Sequence, residues 1–109
     1  LKAPSGMKDF FGTELLKLKA LEERWLKFLE KNNFQEIRTP TLEEKELFIR
    51  SVGEFSDIVS KEMFLSEDLV LRPEGTAPVM RCVLENSLPF PQYFSYFNTF
   101  FRKERPQKG

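Results

Sequence analysis

Glu62-Met63-Phe64-Leu65-Ser66-Glu67-Asp68-Leu69-Val70-Leu71-Arg72-Pro73-Glu74-Gly75-Thr76 decides how the rest of the chain is read. Two short apolar runs, Glu62 to Leu65 and Leu69 to Leu71, flank Ser66-Glu67-Asp68, the pattern of a tight hairpin and so of antiparallel pairing. Pro73 then takes the chain out of the sheet, because it has no N–H to give to a ladder. Thr76 is a candidate cap for a following helix. Pro78 is tolerated in its first turn, and Val79, Met80, Val83 and Leu84 form its buried stripe. Pro89-Phe90-Pro91 closes it.

Upstream, residues 1 to 12 contain Pro4, Gly6 and Gly12, and read as an irregular segment anchored on a surface by Met7, Phe10 and Phe11. From Thr13 to Lys31 the apolar positions Leu18, Leu21, Trp25, Phe28 and Leu29 recur at helical spacing. Thr13 can cap the start, Glu14 suits the positive end of the helix dipole, and Asn32-Asn33 can leave through a left-handed turn. Phe34 to Arg38 alternates apolar and polar side chains, which predicts a half-covered strand stopped by Pro40. Thr41-Leu42-Glu43-Glu44 has the spacing of a capping box, so a short helix is expected to about Ser51, ended by Gly53.

Downstream, Tyr93 to Phe101 is rich in β-formers, with Phe94 and Tyr96 on one face and Phe97 and Phe101 on the other, as in a strand inside a sheet. The order helix, strand, helix, hairpin, helix, strand is that of an α+β protein with a mainly antiparallel sheet flanked by helices.

Composition limits the functions open to the chain. At 109 residues it holds at most one small domain with a limited core. Lys plus Arg and Asp plus Glu both number 17, so no overall field draws it to nucleic acid or an anionic membrane, and any nucleic-acid contact must be local. No apolar run approaches the roughly 18 residues of a membrane span, so no membrane partner is expected. The single cysteine, Cys82, excludes an internal disulfide and suits a reducing compartment; in an apolar helical pattern it reads as a buried small hydrophobe. A cytoplasmic location is the default, although a removed organellar presequence would leave no trace. With no histidine and one cysteine, an ordinary transition-metal site lacks ligands.

Two Arg-x-Glu pairs stand out chemically. In an extended chain Arg102 and Glu104 share a face while Lys103 points away. Arg102 offers a fork of donors suited to phosphate, and Glu104 an acceptor suited to an exocyclic amine. At the helix start, Glu74, the flexible joint Gly75 and Thr76 could receive a ligand's ammonium group. By spacing alone the plainer readings are stronger: a solvated strand end for the first pair, and a cap with its dipole complement for the second.

Taken together, Leu71-Arg72-Pro73-Glu74-Gly75-Thr76-Ala77 and Phe101-Arg102-Lys103-Glu104-Arg105-Pro106-Gln107-Lys108-Gly109 resemble the paired motifs of histidyl-tRNA synthetases, a class II aminoacyl-tRNA synthetase family. Residues of about 13–41 resemble motif 1, the dimerisation element, and about 93–109 resemble motif 2, cut inside its loop. Gly6-Met7-Lys8-Asp9, Val52-Gly53-Glu54 and Asp57 also resemble early segments of the family. Ser5 stands where an arginine is common, and the Ser66-Glu67-Asp68 turn is shorter than usual.

The resemblance implies that residues 1–109 are the amino-terminal portion of a class II catalytic domain. It implies histidine activation with ATP as substrate, Mg2+ accompanying the ATP, transfer to tRNA-His, and a homodimer formed through motif 1. By residue, Glu74, Gly75 and Thr76 would hold the histidine α-amino group. Arg102 would bind the ATP α-phosphate and the substrate carboxylate as the catalytic cation. Glu104 would lie by the adenine, Arg105 would assist the outer phosphates, and no protein-held metal is implied. The imidazole-reading residues, the carboxy-terminal catalytic arginine segment and the anticodon-binding domain are expected beyond Gly109, so the 109 residues alone are expected to be inactive. Two other functions are compatible: a synthetase-like regulatory subunit of histidine biosynthesis, the ATP phosphoribosyltransferase regulator, and a non-catalytic dimerisation module. Intact Glu104 and Arg105-Pro106-Gln107-Lys108-Gly109 favour the enzyme, since a regulator has no need of an ATP loop.

Overall fold

The hairpin expected at Ser66-Glu67-Asp68 is the hub of the fold. In the computed structural model, which describes residues 1–52 and 61–103, β3 (Leu65–Ser66) and β4 (Leu69–Leu71) pair antiparallel with Ser66 opposite Leu69. That leaves Glu67 and Asp68 as the turn, with Glu67 at φ 58°, a left-handed value. On its other edge β4 pairs antiparallel with β2 (Leu42–Glu44), so the sheet order is β2-β4-β3.

β2 replaces the expected capping box. Thr41-Leu42-Glu43-Glu44 does not begin a helix: Leu42, Glu43 and Glu44 face Leu71, Val70 and Leu69 across the ladder. Helix α2 (Lys45–Val52) starts only after it, its first N–H donating to the Asp68 carbonyl at 2.8 Å. The physical reason is competition. A cap contributes about 1 kcal/mol, whereas the strand satisfies several backbone groups and completes the sheet over the core. The expected helix end at Gly53 lies outside the described residues, as do Glu54 and Asp57.

The core is small. Phe48 of α2, Met63, Val70 of β4 and Ala77 of α3 (Thr76–Glu85) form one buried cluster, with Leu47 packed against it. Because Glu43 lies directly opposite Val70, its side chain shares the core-facing side of the sheet. The helix phase of α3 differs from the expected stripe: Ala77, Pro78 and Val83 are buried, while Met80 and Leu84 stay exposed beside an open groove. Cys82 is half-buried.

α1 (Gly12–Lys31) begins at Phe11 with no side-chain cap, so Thr13 lies within the first turn and does not cap it. Its end follows the sequence expectation. Asn33 at φ 67° donates its N–H to the Glu30 carbonyl at 3.1 Å, and Phe34 donates to that of Leu29 at 2.9 Å. This is a Schellman closure with asparagine in the left-handed position. No residue of α1 is buried. Leu15, Leu18, Leu26 and Leu29 are half-buried on one side. Leu21, Trp25 and Phe28 make an exposed stripe roughly a quarter turn away, with the rings of Trp25 and Phe28 stacked at 5.5 Å. Met7, Phe10 and Phe11 are exposed too and do not act as the anchors expected. Their segment turns on itself, Met7 N–H to Pro4 carbonyl, beside the start of a helix that offers no buried surface.

β1 (Gln35–Glu36) follows α1 and pairs parallel with β5 (Phe94–Ser95), a two-stranded sheet beside the antiparallel one. The strand expected over 93–101 is therefore regular only at its start. Residues 96–100 leave the ladder, and Phe97 and Phe100 are exposed instead of lying inside a sheet. A competing donor explains this: the Arg72 guanidinium takes the Thr99 carbonyl at 2.8 Å. The chain then rejoins the hairpin, with Phe101 N–H donating to the Arg72 carbonyl at 3.0 Å and Lys103 N–H to that of Glu62 at 2.7 Å.

Candidate active site

Two backbone junctions bring the candidate residues together. β4 ends at Leu71, and buried Pro73 carries the chain into the Glu74-Gly75-Thr76 turn that opens α3. The 101–103 segment, held by its bonds to Arg72 and Glu62, runs beside that turn. With the amides of 101 and 103 so engaged and the Lys103 ammonium 5.6 Å over the Phe64 ring, Arg102 takes the opposite face. There Arg102, Glu74 and Thr76 line one groove of about 930 Å3. Leu47, Phe48 and Met63 on one side, and Ala77, Met80 and Leu84 on the other, make its walls largely apolar.

The turn itself corrects a sequence assignment. Thr76 does not cap α3; it is the first helical residue and is exposed. The cap is Glu74, whose Oε2 accepts the Thr76 N–H at 2.6 Å and whose Oε1 accepts that of Ala77 at 3.0 Å. A carboxylate reaches amides that a Thr76 hydroxyl, already inside the helix, cannot serve. The cap therefore orients both oxygens, while their remaining lone pairs stay available to a cation.

Gly75 is not a flexible joint. Its φ of −108° and ψ of −15° are ordinary for any residue. What requires glycine is the Tyr96 ring: a Cβ there would lie 2.6 Å from Cζ and 2.7 Å from the hydroxyl oxygen, and closer still to Cε2. Tyr96 in turn packs edge-on against Phe100 at 6.0 Å.

Beneath the turn, α3 is tied to the sheet by charge. Glu43 is buried, and Arg81 reaches it with Nη2 donating to Oε1 at 2.9 Å and Nε 2.9 Å from Oε2, though not aligned there as a hydrogen bond. Nη1 of Arg81 donates to Glu85 at 2.5 Å. Burial opposes the charge on Arg81, but the hydrogen bond and attraction of Glu43, with help from Glu85, more than offset it and raise its pKa above the usual guanidinium value. Glu104 and Arg105 lie outside the described residues. Spacing did not reveal the roles of Tyr96, Arg72 or the Glu43 and Arg81 pair. The only hint was Arg81 with Glu85 at helical i,i+4 separation.

Among known proteins, no family model matches the chain. Individual relatives do. It is 48% identical over 112 residues to a histidine-tRNA ligase of Thermodesulfovibrio yellowstonii, a match covering 95% of this chain and 27% of that protein. It is 49% identical over 120 residues to that of Mycoplasma capricolum, covering 100% and 28%. The fold matches apo histidyl-tRNA synthetase of S. aureus with a TM-score of 0.67 at 28% identity, over 88% of this chain and 24% of that one. A Bacillus halodurans structure described as an ATP phosphoribosyltransferase regulatory subunit/histidyl-tRNA synthetase matches at 0.74 and 27% identity, over 95% and 28%. The sequence thus spans little more than a quarter of the curated relatives it matches.

Its mixed architecture, with a small antiparallel sheet flanked by helices, is that of the class II aminoacyl-tRNA synthetases. Within that class, the curated relatives it resembles over nearly its whole length are histidine-tRNA ligases.

Proposed function

We propose that the full-length protein carrying this sequence is a histidine-tRNA ligase, which joins histidine to the AMP moiety of ATP with release of pyrophosphate and then transfers the histidyl group to tRNA-His. The observation that carries this reading is that Glu74 and Arg102, from segments distant in the chain, line one groove beside a helix start. The substrate has a cation and an anion on the same carbon. Glu74, with Gly75 shaping the turn and Thr76 at its rim, receives the ammonium; Arg102 receives the carboxylate and the α-phosphate. Adenylate formation is attack by that carboxylate on the α-phosphorus with pyrophosphate leaving, so the barrier is lowered mainly by alignment and by neutralising gathered negative charge. Arg102 supplies a forked cation for both anions. Glu104 by the adenine and Arg105 by the outer phosphates complete the assignment.

Mg2+ belongs to this reading only as a companion of the ATP phosphates. Among the described residues no cluster of three or more His, Cys, Asp or Glu stands ready to hold it. The exposed Leu21, Trp25 and Phe28 stripe on α1 supports a homodimer through residues 13–41, and the domain assignment of 1–109 to the catalytic unit rests on the same relatives. No helix among the described residues is long and apolar enough to cross a membrane, and a cytoplasmic site of action fits a tRNA substrate.

Histidine-dependent pyrophosphate exchange by the full-length protein tests the proposal. Robust exchange is the expected result. Histidine binding without exchange would replace it with the regulatory reading, which the Bacillus halodurans likeness keeps as the alternative.

A further inference from the structure

Among the described residues the buried charged side chains are Glu43 and Arg72. Glu43 has Arg81. Arg72 is engaged differently: its guanidinium donates to two backbone carbonyls, Nε to Thr99 at 2.8 Å and Nη1 to Thr39 at 2.9 Å, and lies 5.7 Å over the Phe100 ring. Its own backbone N–H donates to the Thr41 carbonyl at 3.0 Å, and its carbonyl accepts from Phe101 at 3.0 Å. One residue thus ties together the chain at 39–41, the end of β4 and the segment 99–101.

The position of these ties matters more than their number. Arg72 is separated from Glu74 only by the buried, φ-restricted Pro73, and its partner Phe101 immediately precedes Arg102. Fixing Arg72 to Thr99 and Phe101 therefore fixes the turn that bears Glu74 against the strand end that bears Arg102. A buried apolar side chain could fill the space but would leave the Thr39 and Thr99 carbonyls without these donors, and a lysine ammonium cannot reproduce the planar fork. The tight contact of Tyr96 on Gly75 joins the same two segments independently.

We propose that Arg72 is a positioning residue that holds the Glu74 turn and Arg102 at the separation required by a ligand with an ammonium and a carboxylate on one carbon. This rests on the roles proposed above for Glu74 and Arg102. It implies that Arg72 acts on the pairing of the two contacts and on neither contact alone, which a residue that merely stabilises the fold would not do.

The test uses the full-length protein with Arg72→Lys, and Phe100→Leu as a milder disturbance of the same guanidinium should the first variant not fold. Calorimetry compares histidine with histamine, which keeps the ammonium and imidazole but lacks the carboxylate, at a temperature where every variant is folded. Affinity for histidine is expected to fall by about tenfold or more, since sub-ångström placement is at stake, while that for histamine changes by less than about twofold. Parallel losses for both ligands, or no loss for either, overturn the inference. A wild-type protein that binds histidine no better than histamine sinks the underlying assignment of Arg102 instead. Amide hydrogen exchange decides the inference even then: exchange at Phe101 should quicken by about tenfold in Arg72→Lys with α1 amides unchanged. Unaltered protection at Phe101 refutes it with or without ligand.

Discussion

Gly75→Ala isolates a single contact whose consequences can be worked out in advance. The backbone at Gly75 suits alanine, and the substitution by itself would stabilise the chain by about 0.4–1 kcal/mol by restricting the unfolded state. Against this, the new methyl would sit 2.6 Å from Tyr96 Cζ, where carbon atoms normally rest about 3.5–4.0 Å apart. The ring or the turn must therefore yield by about 1 Å, and the edge-on contact of the ring with Phe100 resists the first option. Overpacking of this kind costs about 1–3 kcal/mol, so a net loss of up to about 2.5 kcal/mol, centred on about 1 kcal/mol, is expected. If the turn yields, Glu74 moves with it, and a displacement near 1 Å lowers histidine activation by about a hundredfold. Denaturant unfolding and single-turnover adenylate formation measure the two effects separately. Tyr96→Ala removes the obstructing ring, so the double variant should lose about 1 kcal/mol less than the sum of the singles. Strict additivity, or a Gly75→Ala protein with wild-type stability and rate, would show that the close approach does not govern the turn.

Other substitutions probe the surrounding structure. Glu43→Gln strips the buried partner from Arg81 and should cost about 2–3 kcal/mol of unfolding free energy, less than for a fully buried pair because Arg81 is partly exposed; Glu43→Leu with Arg81→Met should cost less than Glu43→Gln alone. Trp25→Glu on the exposed stripe of α1 should shift sedimentation of the full-length protein toward monomer while the far-ultraviolet spectrum stays unchanged; a variant still dimeric would move the interface elsewhere. Arg102→Lys keeps the charge and loses the fork, so single-turnover adenylate formation should fall on the order of a hundredfold, and an unchanged rate would remove Arg102 from the phosphate site.

What could be read locally was read correctly where a single short-range device decides the outcome. Asn33 ends α1 in the left-handed region because the Schellman bonds close within six residues. The hairpin follows from two apolar runs at turn spacing. The same local logic failed at Thr41-Leu42-Glu43-Glu44 and at Thr76. A string with Thr and Glu three apart suits a capping box equally well when it lies in a strand, and that spacing gives Glu44 the reciprocating role and Glu43 none. In the structure, Glu43 faces the core and is paired with Arg81.

Local patterning was enough for the class of architecture, the hairpin, the extent of α1 to within a residue and the start of α3, and the joint spacing of two motifs carried the family resemblance; α3 itself stops at Glu85, short of Pro89-Phe90-Pro91. Folding alone makes Glu74 the cap of α3, sets Gly75 against the Tyr96 ring, ties the turn to the strand end through Arg72, and brings Glu74 and Arg102 into one groove. Caps and propensities are each worth about 1 kcal/mol or less and act within a turn of chain. Contacts between residues far apart in the chain leave no periodic trace, so they appear only once the backbone has closed the distance.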